Sequence, residues 1–236
     1  MDDQPHTVDV HFDGDKLILE QHRDEAGTFY TFPLTDTAEP PGPRAALPWA
    51  EALHARIHPI GTAEKVLRAW STGRPPRGTA PHYDPTTVPP VRVRAGCVVI
   101  RDDRMLLIRC EDEGTHYEIP GGGVEAGETP ETAAVRELRE ETALHGTPVR
   151  EVARTWRENR RGHYYLMAAE GEVGAAETLD NYGGRPEWVP VRDLPTTPLW
   201  PRRLSWRIAH WHSTGWPVHP AELADSINDL DRPCSW

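Results

Sequence analysis

Three glutamates, Glu137, Glu140 and Glu141, follow a glycine-rich loop at helical spacing. Residues three and four apart share one face of a helix, so the three carboxylates would lie together. Like charges at this spacing oppose helix formation by roughly 0.2–0.5 kcal/mol per pair. Hard divalent cations prefer oxygen ligands and complete their coordination with substrate phosphates. By itself the pattern is more typical of a solvated acidic helix face, and a Mg²⁺ (or Mn²⁺) site that acts on phosphates is the functional alternative, which the glycine-rich loop in front favours.

The segment that must position these carboxylates is predicted to be a loop followed by a helix. Three glycines at positions 121–123 let the backbone pass close to a neighbour without a Cβ clash. Pro130 suits the first helical position, and Thr129 before it is a predicted N-cap. Ala, Leu, Glu and Arg dominate from there to Thr142, with no further Gly or Pro, so we predict a helix.

The spacing of the charged residues in this segment is specific. After Gly122, gaps of five and seven residues lead to Glu128 and to the run 136–144, which reads R-E-L-R-E-E-T-A-L. This arrangement resembles the signature of the Nudix hydrolases. The departure from the family pattern is Ala143, where the family usually has Gly at the exit turn of the helix. That position serves the end of the helix and not the chemistry.

The resemblance implies both a fold and a reaction. The expected fold is of the α+β class, a Nudix-type α/β/α sandwich with a mixed sheet. The expected reaction is metal-dependent hydrolysis of a diphosphate linkage, by attack of water on phosphorus. The substrate would be a nucleoside diphosphate derivative such as a nucleotide sugar or a nucleoside triphosphate. A non-catalytic module that senses a nucleotide through the same pocket is the alternative, and the intact set of charged signature residues favours the enzyme.

The resemblance also implies a role for each signature residue. The metal ligands would be one backbone carbonyl and three carboxylates: Gly121, Glu137, Glu140 and Glu141. Arg136 would orient a glutamate through a bidentate ion pair, and Glu128 would support the site. Glu137 or Glu140 would serve as the general base, unless the base lies on a loop outside the signature, where Asp180 and Glu187 are candidates.

Two arginines outside the signature are candidate substrate contacts. Arg154 and Arg157 lie, together with Arg160 and Arg161, on and around a predicted hairpin formed by residues 149–155 and 164–168. Guanidinium groups attract phosphate, which favours a role in substrate binding. A solvated hairpin tip that balances nearby glutamates is the alternative.

Four regions are predicted along the chain. Residues 1–72 combine alternating strand patterns with two helical segments and form a small N-terminal unit. Residues 73–90 contain six prolines and no periodicity, which is typical of a semi-rigid linker. Residues 91–198 carry the strands and the signature helix of the catalytic domain. Residues 199–236 form a Trp-rich helical extension.

The C-terminal region is rich in tryptophan. Leu204, Ile208 and Trp211 fall at i, i+4 and i+7, which predicts a helix with a stripe that faces the core. We expect the tryptophans to pack this helix on the rest of the protein. An aromatic platform for a nucleobase is the alternative.

Composition narrows the expected partners. The 236 residues carry a net charge of −11 and show no basic face, which disfavours nucleic acid and an RNA-decapping role, so the expected partner is a small nucleotide. The three cysteines show no metal-ligand spacing, which favours a reducing, cytoplasmic location. The longest apolar run, residues 96–100, is too short to span a membrane. A homodimer is compatible with the sequence.

Overall fold

The computed structural model describes residues 7–35, 42–111, 114–157, 159–175, 179 and 184–225. The chain forms two compact units, Met1–Thr87 and Val88–Trp236. Among the described residues, no helix combines the length and the apolar character that crossing a membrane requires.

The first unit is a six-stranded sheet with two helices. In chain order its elements are β1 (Thr7–Asp13), β2 (Lys16–Asp24), β3 (Gly27–Thr31), β4 (Arg44–Pro48), α1 (Trp49–Ala52), β5 (Ile57–His58), α2 (Ile60–Ser71) and β6 (Gly78–Pro81). The strand order is β5-β3-β2-β1-β6, with β4 paired to β2. The alternating patterns predicted near the N-terminus correspond to β1 and β2, whose inward residues Val8, Val10 and Leu17 are buried.

The first unit extends into the segment that the sequence predicts to be a linker. The predicted linker, residues 73–90, contributes the strand β6, which pairs with β1 from Val10↔Gly78 to Thr7↔Pro81. Thr62 lies in the first turn of α2, whose N-cap is Pro59. The Thr62 hydroxyl donates to the Pro81 carbonyl (2.8 Å) and so holds the end of β6 against α2. Prolines delimit this strand but do not prevent it, because an edge strand tolerates a missing N–H.

The second unit is built on a nine-stranded mixed sheet. Its elements are β7 (Arg92–Arg101), β8 (Arg104–Cys110), β9 (His116–Glu118), β10 (Gly121–Gly123), α3 (Pro130–Thr142), β11 (His145–Arg157), β12 (Arg160–Glu170), β13 (Arg185–Pro190), β14 (Leu199–Trp200), α4 (Arg202–Thr214) and β15 (Ala221–Ala224). The strand order is β14-β9-β8-β7-β12-β11-β15, with β10 on β7 and β13 on β8. The neighbours β7 and β12 run parallel, and β11 and β12 form an antiparallel hairpin.

The two longer helices of this unit belong to different hydrophobic clusters of the sheet. Leu138 of α3 packs with Cys97 and Leu106 in one cluster. Leu204 and Ile208 of α4 pack with Val98, Leu107 and other residues in the second. Because neighbouring residues of a strand point to opposite faces, the helices cover the two sides of the sheet. The unit is therefore the mixed α+β sandwich that the sequence predicts.

The C-terminal region is part of this sandwich and is not an appended extension. The predicted stripe is confirmed, since Leu204, Ile208 and Trp211 all lie in the core cluster. After α4 the chain returns to the sheet, where β15 pairs in parallel with β11 from Ala153↔Ala221 onward. The predicted boundary at residue 199 is wrong because α4 supplies the second helical layer that the sheet needs to bury its other face.

The signature helix α3 has the predicted start. Thr129 is its N-cap and accepts a hydrogen bond from the backbone N–H of Thr132 (3.1 Å), and Pro130 occupies the first turn. Thr132 returns the contact through its own hydroxyl, which accepts from the Thr129 N–H (2.9 Å). This reciprocal capping fixes where the helix begins.

Replacing Ala143 by Gly is expected to stabilise the protein. Ala143 ends α3 in the left-handed region with φ of 63°. A Cβ in this conformation costs about 1 kcal/mol, whereas Gly adopts it freely. We expect the free energy of unfolding to rise by roughly 0.5–1 kcal/mol in urea titrations, because the entropy lost by Gly offsets part of the gain. Ala143→Ser keeps the Cβ and is the control; an equal gain in that variant would contradict the explanation.

Candidate functional site

Glycines at the start of the signature allow α3 to approach the sheet closely. An added Cβ at Gly121, whose φ is 154°, would lie 2.1 Å from the Ala95 carbonyl oxygen. At Gly122 it would lie 2.3 Å from Oε1 of Glu137. Neither position tolerates a side chain without moving backbone or carboxylate. The glycines of β10 therefore let Glu137 of α3 lie against the sheet.

Glu141 is a buried carboxyl group whose negative charge is only weakly compensated by its neighbours. It is 7% exposed, and one of its oxygens accepts a hydrogen bond from the Gly121 N–H (2.7 Å). Burial, assisted by the neighbouring charge of Glu137, raises the pKa of Glu141 to about 7. Among the described residues it has no ion-pair partner. A buried carboxylate in this state is stabilised by any cation that enters beside it.

Arg136 forms hydrogen bonds with three glutamates of the signature, which together with Glu141 we call the acidic cluster. Its Nε and Nη2 atoms bind the two carboxylate oxygens of Glu128, each at 3.0 Å. Its Nη1 atom donates to Glu137 (2.8 Å) and to Glu140 (3.0 Å), and Nη2 also donates to the Gly123 carbonyl (2.9 Å). These contacts raise the pKa of Arg136, and the hydrogen bonds with Glu128 have the largest effect. The same hydrogen bonds lower the pKa of Glu128. Arg136 thus fixes three carboxylates at once.

The cluster borders two cavities. Glu137 and Glu141 line a cleft of about 510 Å³ together with Gly121. Glu140 lies instead on a neighbouring cavity of about 460 Å³, which it shares with Glu137 and Arg136. Glu137 is therefore common to both cavities. The Glu140 side chain, 45% exposed, is the most open of the three, compared with 14% for Glu137.

The donor set fits a hard divalent cation that also binds phosphate. Within the described ranges, no group of three or more His, Cys, Asp or Glu side chains is arranged to hold a metal by itself. Mg²⁺ commonly takes only one or two carboxylates, and water and substrate phosphate oxygens fill its other positions. Glu137 and Glu141 offer such a pair in one cleft, and the buried charge of Glu141 calls for a cation.

Comparison with known proteins identifies the family. A family model of the NUDIX domain matches residues 90–210, more than half of the 236 residues. The chain belongs to the Nudix family. The match spans strands β7 to β14, the signature helix α3 and most of α4, so the Nudix domain includes part of the region that the sequence patterns assigned to an extension.

Curated relatives share part of this Nudix chain. A "MutT-like protein" of Streptomyces ambofaciens is 37% identical over 95 residues, which are 40% of this chain and 60% of the relative. An "RNA pyrophosphohydrolase" of Sphingopyxis alaskensis is 31% identical over 105 residues, or 44% of this chain and 63% of the relative. The chain spans less than two thirds of the length of these relatives.

Solved structures resemble the Nudix domain at lower identity. A MutT NUDIX hydrolase from Burkholderia pseudomallei is 25% identical with a TM-score of 0.43, covering 50% of this chain and 95% of that one. The E. coli ORF135 protein is 24% identical with a TM-score of 0.45, covering 55% of this chain and 95% of that one.

Two site residues expected from the sequence point away from the Nudix cleft. Arg154 is held by Glu151, with Nη2 at 2.7 Å from Oε2, and by Glu222, with Nη1 at 3.2 Å from Oε1. Its charge is neutralised, so the expectation that it binds substrate is corrected, whereas Arg157 borders a pocket beside the cleft. Glu187 accepts from the Tyr117 hydroxyl (3.3 Å).

The strand register places Glu187 on the other face of the sheet from Glu118, a residue of the cleft. Glu187 is paired with Leu107, and Glu118, which lines the cleft, is paired with the next residue, Ile108. Adjacent residues of β8 point to opposite faces, so Glu187 and Glu118 lie on opposite sides of the sheet. We therefore no longer propose Glu187 as the general base. Asp180 lies outside the described residues.

The cleft also contains charged residues that the sequence patterns did not single out. Arg94 donates from Nη2 to Oε2 of Glu118 (3.2 Å) across the opening, and His116 lines the same wall. The alternation V-R-V-R at positions 91–94 was a signal, because polar residues that alternate at the start of a buried strand mark its accessible face. The alternation gives no indication of the strand pairing that places Glu118 beside Arg94.

Proposed function

We propose that this Nudix protein hydrolyses the diphosphate linkage of a nucleoside diphosphate derivative in a metal-dependent reaction. The observation that carries the proposal is the pair Glu137 and Glu141 on one cleft with Gly121, where Glu141 is buried and forms no ion pair with any described residue. A binding site for a neutral molecule would not need a buried carboxylate without an ion-pair partner.

Mg²⁺ or Mn²⁺ would be held by Glu137 and Glu141, with the Gly121 carbonyl as a further proposed ligand and Glu140 reaching the same ion from the neighbouring cavity. Such an ion supplies Lewis-acid polarisation and neutralises the charge of the diphosphate. The carboxylates of this chain carry the negative charge that attracts it into the cleft.

The side chains around the cation site organise the cleavage. Arg136 holds Glu137 and Glu140 in fixed positions, and Glu128 in turn fixes Arg136 through its two-point contact. Water adds its oxygen to one phosphorus atom, the bridging P–O bond breaks, and a nucleoside monophosphate and a second phosphate compound are released. Glu137 and Glu140 are the proposed acceptors for the proton that the water loses.

A substrate panel tests this function. Nucleoside triphosphates, nucleotide sugars, ADP-ribose, dinucleoside polyphosphates and a 5′-triphosphorylated RNA are incubated with the protein, with Mg²⁺ or with a chelator. We expect release of a nucleoside monophosphate from a small nucleotide, and only with the metal. Tight nucleotide binding without turnover would favour the sensing module instead, and faster turnover of the RNA would contradict a small-molecule substrate.

A further inference from the structure

A smaller pocket of about 180 Å³ adjoins the cleft and has no role in the hydrolysis described above. Arg92, Arg94 and Glu118 line both cavities, so the two are continuous. We call the smaller cavity the arginine pocket. Its wall carries five arginines from three neighbouring strands: Arg92, Arg94, Arg157, Arg160 and Arg161.

The strand register directs four of these arginines to one face of the sheet, whereas Arg161, next to Arg160 on β12, projects to the other face, where its Cζ lies 4.9 Å from the centroid of the Trp156 ring. Between β12 and β7, Arg160 is paired with Arg92, and Gly162 is paired with Arg94. Between β11 and β12, Arg157 is paired with Arg160. Residues directly opposite each other on adjacent strands project to the same side of a sheet. The four guanidinium groups therefore converge through pairing of strands that are distant in the sequence.

Trp200 orients two of these guanidinium groups. The Cζ atom of Arg94 lies 5.7 Å from the centroid of the Trp200 ring, and that of Arg157 lies 5.9 Å from it. Cation–π attraction acts at these distances, and a guanidinium placed over a ring can still donate from its edge. The backbone opposite is kept free of a side chain, because a Cβ at Gly162 would lie 2.8 Å from Oγ1 of Thr155.

The positive charge of the arginine pocket is largely unbalanced. Glu118 is the acid among its lining residues, and it is paired with Arg94. Arg92, Arg157 and Arg160 form no ion pair with any residue that the structure describes. In a protein whose net charge is −11, such a concentration of like charge attracts an anion.

We propose that the arginine pocket binds a further phosphate group of the substrate, one outside the diphosphate that is cleaved. Guanidinium groups bind phosphate oxygens with two parallel N–H donors, and arginine is the preferred residue for this contact. The volume is well below the roughly 300–1,000 Å³ of sites that enclose a whole drug-sized ligand, so it suits one group of the substrate. The proposal rests on the proposed function, which places the diphosphate in the adjoining cleft.

The substrate class follows from this placement. A nucleotide with a third phosphate in its chain, or one with a separate phosphate ester, reaches both cavities. A nucleotide sugar without an additional phosphate fills only the cleft. We therefore assign the protein to substrates that carry at least one phosphate beyond the scissile pair.

Binding of inorganic tripolyphosphate in the presence of a chelator tests the pocket without requiring catalysis. Isothermal titration compares the wild type with Arg157→Ala/Arg160→Ala at one fixed, low salt concentration. We expect the double variant to bind tripolyphosphate more weakly by roughly tenfold or more for each arginine removed. Equal affinity in the wild type and the double variant would overturn the proposal.

A matched control removes the same charge elsewhere. Arg150 is exposed on β11, and the Arg192 side chain is 86% exposed. Arg150→Ala/Arg192→Ala therefore lowers the net charge equally and should keep the wild-type affinity. An equal loss in this control would mean that overall charge, and not the pocket, binds the anion. If the double variant folds poorly, the affinity of Arg160→Ala alone for tripolyphosphate tests the pocket, because this position is exposed.

Two substrate pairs then identify the source of the phosphate. ATP with ADP tests a longer phosphate chain, and 2′-phospho-ADP-ribose with ADP-ribose tests a separate ester. We expect kcat/KM to favour the more phosphorylated member of one pair by about tenfold or more, and Arg157→Ala/Arg160→Ala to reduce that ratio towards one. No preference in either pair would overturn the proposal. If no compound is hydrolysed the proposed function fails, while the tripolyphosphate titration still decides the pocket.

Discussion

Replacing Glu137 by Gln is expected to lower kcat/KM by about a thousandfold or more, which corresponds to about 4 kcal/mol of lost transition-state stabilisation. Glu137 lines both cavities of the site and receives a hydrogen bond from Arg136 (2.8 Å). The substitution keeps the shape of the side chain and removes the charge that we propose to hold the cation. Initial rates at saturating Mg²⁺ with the best substrate of the panel measure the effect.

Glu131→Gln is the matched control for this variant. Glu131 lies in the first turn of the same helix and is exposed, so its replacement removes one charge without touching the cleft. The control should keep the activity of the wild type. Activity of Glu137→Gln within tenfold of the wild type would contradict the proposed site, because an ordinary surface glutamate behaves in that way.

Replacing Glu151 by Gln is expected to lower the free energy of unfolding by about 2 kcal/mol at pH 7. His163 Nδ1 lies 2.6 Å from Oε1 of Glu151, and Arg154 binds both of its oxygens (2.9 and 2.7 Å). Burial alone would raise the pKa of Glu151, but the hydrogen bonds with His163 and Arg154 outweigh it and lower the pKa to about 2. Because solvent partly screens these contacts, the expected loss in free energy of unfolding is smaller than the free energy that corresponds to the whole pKa shift.

The sign of the pH dependence follows from the lowered pKa. In the unfolded chain Glu151 titrates near its ordinary value of 4.5, and in the folded protein near 2. Its contribution is therefore present above pH 4.5 and is lost as the pH falls through 2. Urea unfolding at pH 7 and at pH 3 should show a smaller difference between wild type and variant at the lower pH. Glu170→Gln, at an exposed position of β12, is the control, and a difference independent of pH would refute the explanation.

The buried network around Glu151 also matters for the arginine pocket. Glu151 and Arg154 lie on β11, and His163 lies on β12, so the network fastens the same hairpin that carries Arg157 and Arg160. Three arginines of this hairpin that the sequence cannot distinguish thus have different roles. Arg154 is neutralised inside the structure, whereas Arg157 and Arg160 line a cavity.

Local sequence patterns were sufficient to predict the start and the buried face of the signature helix. The cap at Thr129, the first-turn proline and the apolar face with Leu138 are all as predicted, because helix start signals and periodicity act over a few residues. The same patterns were misleading at residues 73–90 and after residue 199. There, pairing of β6 with β1 and packing of α4 on the sheet outweigh the proline content and the apparent linker.

The sequence by itself determined the family, the helix with its three glutamates and the glycines before it, because these depend on residue types at short, fixed spacing. Only the tertiary structure decided that Glu141 is buried, that Glu140 lies on a neighbouring cavity, and that Arg154 is neutralised. It also brought arginines of β7, β11 and β12 to one pocket beside Trp200. Burial and strand register arise from contacts between segments far apart in the chain, and no local pattern specifies them.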